Sequence, residues 1–408
     1  MIPSIVTTPS SLYLKYADLL HQIKDLRVYQ DGQKVPLRGV EYHLEEGFTL
    51  RANIPLPIID STGVSFFFHT IEEVLSFLTT YPHPARQIPK ALEGGAYLLA
   101  QGKLVAFPTE TVYGLGADAT NVAAVQRIFE AKERPFFDPL IVHVATVNQL
   151  EGVVSQWDER AQELADHFWP GPLTLVVKKH PSIADIVTAG SPTVAVRMPN
   201  NPIARSLIAL SGKPIAAPSA NRFGQTSPTT AAHVADQLGG RIDAIIDGGS
   251  CTVGIESTVL SLATEVPTIL RPGKIGLEEL REFLPNVQLA DQSHPPSDHP
   301  ESPGLLENHY APKTPLYLVD DIEAYRNHSD IGILLFEPTT LLFEGQTIFI
   351  SKTADVTEAA QKLYWALREL DQKGLRALIA KRLPNEGFGL AINNRLEKAA
   401  RKNETLNP

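Results

Sequence analysis

The sequence has almost no cysteine. Cys251 stands alone among 408 residues, so no internal disulfide can form and no cysteine cluster can hold zinc. No apolar run is long enough to span a bilayer, and the first residues, MIPSIVTTPSS, lack the basic start and apolar core of a signal peptide. These absences exclude disulfide-stabilised scaffolds and membrane proteins. We therefore expect a protein of the reducing cytoplasm without a membrane partner.

The chain also lacks an excess of positive charge and several common catalytic motifs. Its net charge is −10 at pH 7, which argues against a broad nucleic-acid-binding surface, although a local basic groove stays compatible with it. The P-loop pattern G-x-x-x-x-G-K-[ST] is absent, as are the hydrolase patterns G-x-S-x-G and H-E-x-x-H. What remains is a globular composition, 43% hydrophobic and 20% charged, over a length that predicts two or three domains.

The most informative stretch begins with an apolar run, Leu104–Phe107, which predicts a buried strand. Pro108 ends that strand because proline has no N–H to donate. The segment TETVYGLG that follows is predicted to be a loop of hydroxyls and glycines. In it, Gly114 and Gly116 would let backbone amides approach a ligand closely.

Two cations and a histidine follow this segment. Thr120 or Asn121 is expected to cap a helix that ends near Lys132. Arg134 comes directly after the helix, and the next apolar strand, PLIVHV, carries His143. Hydroxyls, amides and two cations at one place suit an anionic ligand such as a nucleotide phosphate.

Composition and periodicity divide the chain into four segments. Residues 1–85 predict a small α+β module with hairpins at Asp31-Gly32 and near Gly47 and a helix from Thr70 through Leu78. Residues 81–89, YPHPARQIP, are expected to be a linker. The predicted organisation is an N-terminal α+β extension over 1–85, an α/β domain over 86–290, a proline-rich linker over 291–314, and a smaller α/β domain with a doubly wound parallel sheet over 315–408.

Further polar residues recur at strand ends within the larger α/β domain, where ligands of open α/β sheets bind. Each of them alone has an ordinary explanation as a turn residue or a surface charge. They are Thr193, Arg197, Ser219, Asn221, Ser227, Ser257 and Arg271.

An ordered set of motifs runs along the chain: FPTETVYGLGADAT, AKERP, PLIVHV, FWPGPLTLVV, VAVRMP, AAPSAN, GIESTVL and ILRPG, followed by SPG…HYAPKTP, YWALRELDQKG and GFGLAINNRLEKAA. In this order the motifs resemble those of the threonylcarbamoyl-AMP synthase family. The resemblance covers about residues 88–408 and points to the two-domain type. It implies a YrdC-like twisted α/β catalytic domain and a Rossmann-like C-terminal domain. It also implies synthesis of threonylcarbamoyl-AMP and pyrophosphate from L-threonine, bicarbonate or CO2, and ATP with Mg²⁺.

The resemblance also implies partners and site residues. The product would pass to a threonylcarbamoyl-transferase complex that modifies tRNA, and no stable tRNA binding is expected. Lys132 and Arg134 would act on the ATP phosphates as catalytic residues. The remaining nucleotide site would comprise Asp138, Thr193, Ser219, Asn221, Ser227, Arg271 and Tyr310, and the L-threonine site Thr111, His143, Arg197, Ala217 and Ser257, with no metal held by protein ligands alone. Arg197 would clamp the threonine carboxylate, and Tyr310, in the linker, would close over the site.

Three positions depart from the family pattern. Asp138 stands where relatives often have asparagine, and its carboxylate would be unfavourable near phosphates unless it faces a cation. Ala217 stands where relatives often have threonine, which removes one hydrogen bond. The linker reads Leu305-Leu306-Glu307-Asn308 where relatives tend to be basic.

Two alternative functions remain open at this stage. One is a carbamoyl transferase of the hydrogenase-maturation type, which is disfavoured because a single cysteine excludes its zinc fingers. The other is a double-stranded RNA- or tRNA-binding protein without catalysis. The acidic balance disfavours that function, and a steep salt dependence of tRNA binding would favour it.

Overall fold

The computed structural model describes residues 90–290, residues 309–400, residue 406 and six short strands before residue 90. The predicted helix over 70–78, the linker residues 291–308 and the departure at Leu305–Asn308 lie outside the described residues. Two compact units are separated: Met1–Tyr97 with Ala209–Ser211, and Leu98–Ile208 with Gly212–Pro408. No helix in the described parts of the chain is both long and apolar enough to cross a membrane.

The described strands of the first unit form three two-stranded antiparallel sheets. The pairing Gln30↔Gln33 leaves two residues between strands, as predicted for a hairpin at Asp31-Gly32. One expectation is wrong, because Ala85–Arg86 forms a strand inside the predicted linker over 81–89. The strands are β1 (Arg27–Gln30), β2 (Gln33–Pro36), β3 (Val40–His43), β4 (Gly47–Leu50), β5 (Leu56–Pro57) and β6 (Ala85–Arg86).

Alternating helices and strands run from residue 90 to residue 289. The helices are α1 (Lys90–Ala100), α2 (Val122–Lys132), α3 (Glu159–Phe168), α4 (Asp185–Thr188), α5 (Pro202–Ser211), α6 (Ala231–Leu238) and α7 (Leu277–Arg281), with a 3₁₀ turn at Val147–Gly152. The strands are β7 (Val105–Phe107), β8 (Gly114–Asp118), β9 (Ile141–His143), β10 (Leu173–Lys178), β11 (Thr193–Arg197), β12 (Ile215–Ala216), β13 (Ala244–Ile245), β14 (Thr258–Ser261), β15 (Thr268–Arg271) and β16 (Gln288–Leu289).

These ten strands form one mixed sheet in the order β13-β7-β8-β12-β9-β11-β10-β14-β15-β16. Parallel pairing of β9 with β11 sets His143 beside Arg197 at the same end of the sheet. The main apolar core lies between the sheet and helices such as α2, where Val125, Ile128 and Phe129 are buried. The sheet therefore brings chemically active side chains from distant segments of the sequence to the same end of its strands.

Helix α2 has the boundaries that its sequence predicts. The Asn121 side chain caps it by accepting a hydrogen bond of 3.1 Å from the backbone N–H of Ala124. It ends at Glu133, which adopts a left-handed conformation with φ 56°. This sharp end turns the chain so that Lys132 and Arg134 both point inward and are buried.

The predicted glycine loop TETVYGLG is only partly a loop, because Gly114–Asp118 forms β8 between β7 and β12. A Cβ atom on Gly116 would lie 2.7 Å from Cε1 of Phe107 and 2.9 Å from Cγ2 of Ile215. Gly116 is therefore required by side chains packed on neighbouring strands. The expectation that its backbone amide approaches a ligand stays a prediction.

The C-terminal part forms a smaller sheet of four parallel strands in the order β17-β20-β18-β19. This confirms the predicted second parallel α/β domain, although β19 was not predicted. Its elements are β17 (Leu316–Leu318), a 3₁₀ turn at Glu323–Tyr325, β18 (Ile331–Leu335), β19 (Thr347–Phe349), α8 (Val356–Asp371), β20 (Ala377–Ala380) and α9 (Gly387–Ala399). The apolar cluster of α8 and α9 also contains Val112, Ile255 and Tyr310, which lie outside the small sheet.

Candidate active site

A cavity of about 40 Å³ lies where β9 and β11 end and the chain enters β8. Guanidinium groups of Arg134, Arg197 and Arg271 reach it. Of the other predicted site residues, it is also lined by Thr111, His143, Ala217, Ser219, Ser257 and Tyr310. The structure thus brings together residues that are separated by up to two hundred positions in the sequence.

Arg197 is held by three neighbours at one side of the cavity. Its Nη2 donates to Oε1 of Glu110 at 2.6 Å, its Nη1 donates to Oγ1 of Thr111 at 3.0 Å, and its Nε donates to the carbonyl of Gly171 at 3.2 Å. These bonds use three of the five N–H donors of a guanidinium group. One donor on each terminal nitrogen remains, which is the arrangement that grips a carboxylate with two parallel bonds.

His143 is neutral in this environment. Burial, with a further contribution from the positive charge of Arg197, lowers its pKa to about 3. The edge of its ring meets Phe107, with 6.5 Å between ring centres. A neutral imidazole adds a hydrogen-bonding surface to the cavity without adding charge.

Arg134 is paired with Asp138, the residue that departs from the family pattern. Nη2 of Arg134 lies 2.9 Å from Oδ2 of Asp138, and Nε donates to the backbone carbonyl of Asp138 at 3.1 Å. Nη2 also donates to the carbonyl of Pro139 at 2.7 Å. Burial raises the pKa of Asp138, and the charge of Arg134 acts in the opposite direction. The carboxylate therefore faces a cation and lies behind the cavity lining.

Lys132 is buried and binds the loop that follows β12. Its ammonium donates to the carbonyl of Ser219 at 2.5 Å and to the carbonyl of Asn221. Burial, reinforced by the charge of Arg134, lowers its pKa well below the usual value for lysine. The Asn221 side chain holds the same loop by donating to the carbonyls of Arg222 and Gln225. Lys132 and Asn221 thus shape the cavity wall from behind.

Ser257 and Arg271 form another part of the wall. Arg271 donates from Nε to the carbonyl of Ser257 and from Nη2 to its Oγ, both at 3.1 Å. The Ser257 hydroxyl also lies 2.8 Å from Oγ1 of Thr174. Burial lowers the pKa of Arg271. On the opposite wall, Cβ of Ala217 lies 3.4 Å from where a Cβ on Gly114 would stand, so this stretch is closely packed.

Glu256, Thr109 and His309 also line the cavity, although sequence reasoning did not select them. Glu256 precedes Ser257 in the motif GIESTVL, and His309 precedes Tyr310 in HYAPKTP. Each therefore adjoins a predicted site residue within a family motif and could have been selected on that ground. The Glu256 carboxylate accepts from the hydroxyl of Ser227 at 2.5 Å. Ser227 is therefore behind the wall.

Thr193 is another predicted residue that does not line the cavity. It begins β11, whereas Arg197 ends it, and four residues of strand span about 13 Å. Its hydroxyl lies 2.7 Å from the hydroxyl of Ser191. Its side chain thus takes part in local structure at the far end of the strand.

Comparison with known proteins gives concordant results for both parts of the chain. The family model Sua5_yciO_yrdC, described as telomere recombination, matches residues 97–273, and the model described as threonylcarbamoyl-AMP synthase, C-terminal domain, matches residues 275–401. The chain is 44% identical over 316 residues to the threonylcarbamoyl-AMP synthase of Bacillus subtilis (strain 168), covering 75% of this chain and 91% of that protein.

The relative from Pyrococcus abyssi gives the same result in sequence and in structure. Identity with the threonylcarbamoyl-AMP synthase of Pyrococcus abyssi is 42% over 322 residues, covering 75% of this chain and 92% of that protein. The crystal structure of P. abyssi Sua5 complexed with L-threonine matches with a TM-score of 0.71 and 41% identity, covering 76% of this chain and 94% of that one. This agreement in sequence and fold shows that the chain belongs to the threonylcarbamoyl-AMP synthase family.

Proposed function

We propose that the protein makes threonylcarbamoyl-AMP and pyrophosphate from L-threonine, bicarbonate or CO2, and ATP with Mg²⁺. This is the first step of threonylcarbamoyladenosine formation in tRNA. The observation that carries the proposal is the convergence of Arg134, Arg197 and Arg271 on one buried cavity. Two anionic substrates that must react with each other require such a concentration of positive charge. Family membership supports the same reaction.

The chemistry needs positioning rather than a covalent intermediate. The amine of L-threonine adds CO2 and loses a proton, which gives a carbamate. A carbamate oxygen then bonds to the α-phosphorus of ATP while the bond to the β-phosphate oxygen breaks, and pyrophosphate leaves. Cations that offset the repulsion between carbamate and phosphate, and walls that hold both in line, provide catalysis of this kind.

On the L-threonine side, Arg197 is proposed to clamp the carboxylate with its remaining N–H donors. Thr111 and Ser257 offer hydroxyls to the substrate, and neutral His143 offers a ring nitrogen. Ala217 contributes only a methyl group, so the hydrogen bond of a threonine at this position is absent. The crystal structure of P. abyssi Sua5, which is complexed with L-threonine, supports an L-threonine site in this fold.

On the nucleotide side, Arg134 and Arg271 are proposed to contact the phosphates, with Ser219 and Tyr310 completing the pocket. Lys132 and Asn221 hold the loop that carries Ser219, and Asp138 orients Arg134. The Ser227 hydroxyl donates its proton to Glu256, so only its oxygen is left to accept a hydrogen bond from the nucleotide. Thr193 is left out because it lies at the far end of β11.

Mg²⁺ enters this proposal as part of the ATP substrate. Among the described residues, no three His, Cys, Asp or Glu side chains converge to hold a metal ion. The donor set of the cavity, with three guanidinium groups, suits the phosphates themselves. The ion would be coordinated by phosphate oxygens and water, as is usual for Mg²⁺ with nucleotides.

We place the reaction in the cytoplasm, where the product would pass to a threonylcarbamoyl-transferase complex. Tyr310 is buried against the catalytic cavity and is proposed to exclude water from the labile intermediate. The acidic net charge supports a role without stable tRNA binding. The two alternative functions are not favoured by the family assignment.

The test is pyrophosphate release from ATP and Mg²⁺, with L-threonine and bicarbonate omitted in turn and the adenylate identified by mass. Release that requires both substrates is expected. The Arg134→Ala variant should lose release by at least about 100-fold. Circular dichroism measures its folded fraction, because the substitution leaves the buried Asp138 carboxylate without its cation. The matched control is Arg127→Ala, which removes a half-exposed ion pair with Asp243 at 2.8 Å. Release that ignores L-threonine, or full activity of Arg134→Ala, would contradict the proposal.

A further inference from the structure

Two side chains of the C-terminal domain reach the wall of the catalytic cavity. Arg395 on α9 donates from Nε to Oε2 of Glu256 at 2.8 Å. Tyr364 on α8 donates its hydroxyl to the same carboxylate, 3.0 Å from Oε2 and 3.2 Å from Oε1. All three side chains are buried, and Glu256 itself lines the cavity.

The Glu256 carboxylate is ionised and has donors at both oxygens. Oε1 receives Ser227 and Tyr364, and Oε2 receives Arg395 and Tyr364. Burial alone would raise its pKa, but the charges of Arg395 and Arg271 and the bond from Ser227 hold it below the usual value. Donors placed on a buried charge leave it little freedom to move. The position of Glu256 is therefore set largely from the C-terminal domain.

Arg395 also donates hydrogen bonds to two backbone carbonyls, one next to Ser257 and one next to Arg271. Its Nη2 donates to the carbonyl of Glu256 at 3.3 Å, and its Nη1 donates to the carbonyl of Pro272 at 2.8 Å. Glu256 precedes Ser257, and Pro272 follows Arg271. One guanidinium group thus joins the two backbone segments that carry the Ser257–Arg271 wall.

Tyr310 is part of the same cluster. The guanidinium carbon of Arg395 lies 5.3 Å from the centre of the Tyr310 ring, and the rings of Tyr310 and Tyr364 are 6.0 Å apart. Tyr310 adopts a left-handed backbone conformation with φ 66°, which costs energy for a bulky residue and persists only where surroundings impose it. Arg395 and Tyr364 supply those surroundings.

We propose that Arg395 and Tyr364 are positioning residues of the synthase site, which act through Glu256 to align Ser257, Arg271 and Tyr310 with the substrates. This inference rests on the proposed function, because the aligned residues are those assigned to L-threonine and ATP. If Arg395 and Tyr364 had a purely structural role, they would only link the C-terminal domain to the catalytic domain. The positioning role requires that loss of the Tyr364 hydroxyl alters turnover beyond its effect on stability.

The test compares Tyr364→Phe with Tyr325→Phe in the full chain. Each variant keeps the ring and loses one hydroxyl of the C-terminal domain, and the Tyr325 hydroxyl donates to the carbonyl of Leu406, far from the cavity contacts. Tyr364→Phe is expected to lower kcat about tenfold, with a smaller rise in the KM for L-threonine and ATP, because misalignment is felt most in the transition state. Tyr325→Phe is expected to keep wild-type kinetics at a similar melting temperature.

A second comparison separates action through Glu256 from independent effects. Glu256→Gln, Tyr364→Phe and the double variant form a cycle, and the double variant should be no slower than Glu256→Gln alone. Arg395→Lys, which keeps the charge but cannot bridge both carbonyls, should also lower kcat, whereas Arg382→Lys at the exposed pair with Glu397 should not.

The outcomes are distinguishable from failure of the proposed function. Wild-type protein without threonine-dependent pyrophosphate release refutes the function, and the positioning role falls with it. An active wild type with unchanged kinetics in Tyr364→Phe refutes the positioning role alone. Additive losses in the cycle also refute it, because they show that Tyr364 does not act through Glu256.

Discussion

Arg197 and Glu110 form a buried ion pair, with 2.6 Å between Nη2 and Oε1, beside the cavity of the catalytic domain. The two residues come from the end of β11 and from the segment before β8. Glu110 thus neutralises and orients the cation before any substrate carboxylate arrives. An arginine held in this way has two donors fixed in direction and loses little side-chain entropy when it binds.

The first prediction concerns that arginine. Arg197→Lys keeps the charge but removes the planar pair of donors, so the dissociation constant of L-threonine should rise by about 10- to 100-fold. Isothermal titration with L-threonine measures this change. Arg160→Lys, at an ion pair with Asp158 that is more than one-third exposed, is the control and should bind as wild type. Equal binding by Arg197→Lys would remove Arg197 from the proposed carboxylate clamp.

The second prediction concerns the buried ammonium of Lys132. Lys132→Met leaves the carbonyls of Ser219 and Asn221 without this donor, which should lower the free energy of unfolding by about 1–3 kcal/mol. The displaced loop should also lower kcat/KM. Urea denaturation and the pyrophosphate assay measure the two effects. Lys179→Met, which breaks a pair with the exposed Asp185, should leave the urea midpoint almost unchanged. A stable and active Lys132→Met would contradict the loop-holding role.

The third prediction tests the close packing of β8 around Gly116. In Gly116→Ala the new methyl group would meet Phe107 at 2.7 Å and Ile215 at 2.9 Å. We expect a loss of about 1–3 kcal/mol in the free energy of unfolding. Gly94→Ala is the matched control, because among the described residues no atom outside its own helix backbone lies within 4 Å of the added Cβ, and the position is helical. That control should gain about 0.5–1 kcal/mol. Equal effects of the two substitutions would show that β8 tolerates the methyl group.

The fourth prediction is a dependence of stability on pH. Burial, with a further contribution from Arg197, lowers the pKa of His143 to about 3, and burial also lowers the pKa of His309. Below about pH 6.5 the unfolded chain binds protons at these two histidines that the folded chain does not. Stability is therefore greatest above about pH 6.5 and falls as the pH decreases.

The size of this effect can be measured for one histidine. His143 should contribute about 2 kcal/mol to the loss of stability between pH 7 and pH 5. In His143→Asn the decline over this interval should be smaller by that amount. The check is the urea midpoint at several pH values, for both proteins, in the same buffer ions. Parallel curves for variant and wild type would show that His143 is not the titrating group.

Much of the fold could be predicted because local signals agreed with tertiary structure. The apolar spacing and the Asn121 cap predicted α2. Short strands were harder to predict. The strand Gly114–Asp118 begins with two glycines spaced by one residue, which locally favour a loop, and pairing with β7 and β12 overrides that preference.

Some of the predicted site residues line the cavity, and others lie behind its wall. Resemblance to a family assigns roles to positions in a motif, but it does not show where a side chain points. Lys132 and Asn221, which the resemblance assigns to the ATP site, lie behind the wall and hold a loop there. Glu256 was missed because its partners, Tyr364 and Arg395, are 108 and 139 residues away along the chain.

That separation bears on how the protein is made. The contact between Glu256 and Arg395 closes a span of 139 residues, so it forms only after the helix that carries Arg395 has left the ribosome. A contact of such high sequence separation also forms late during folding, because its loop entropy must first be overcome. Until then the buried carboxylate lacks its guanidinium partner. A chain synthesised only as far as the start of α9 would therefore contain the catalytic sheet, but Glu256 in the cavity wall would lack Arg395. Synthase activity is then expected only once α9 is complete.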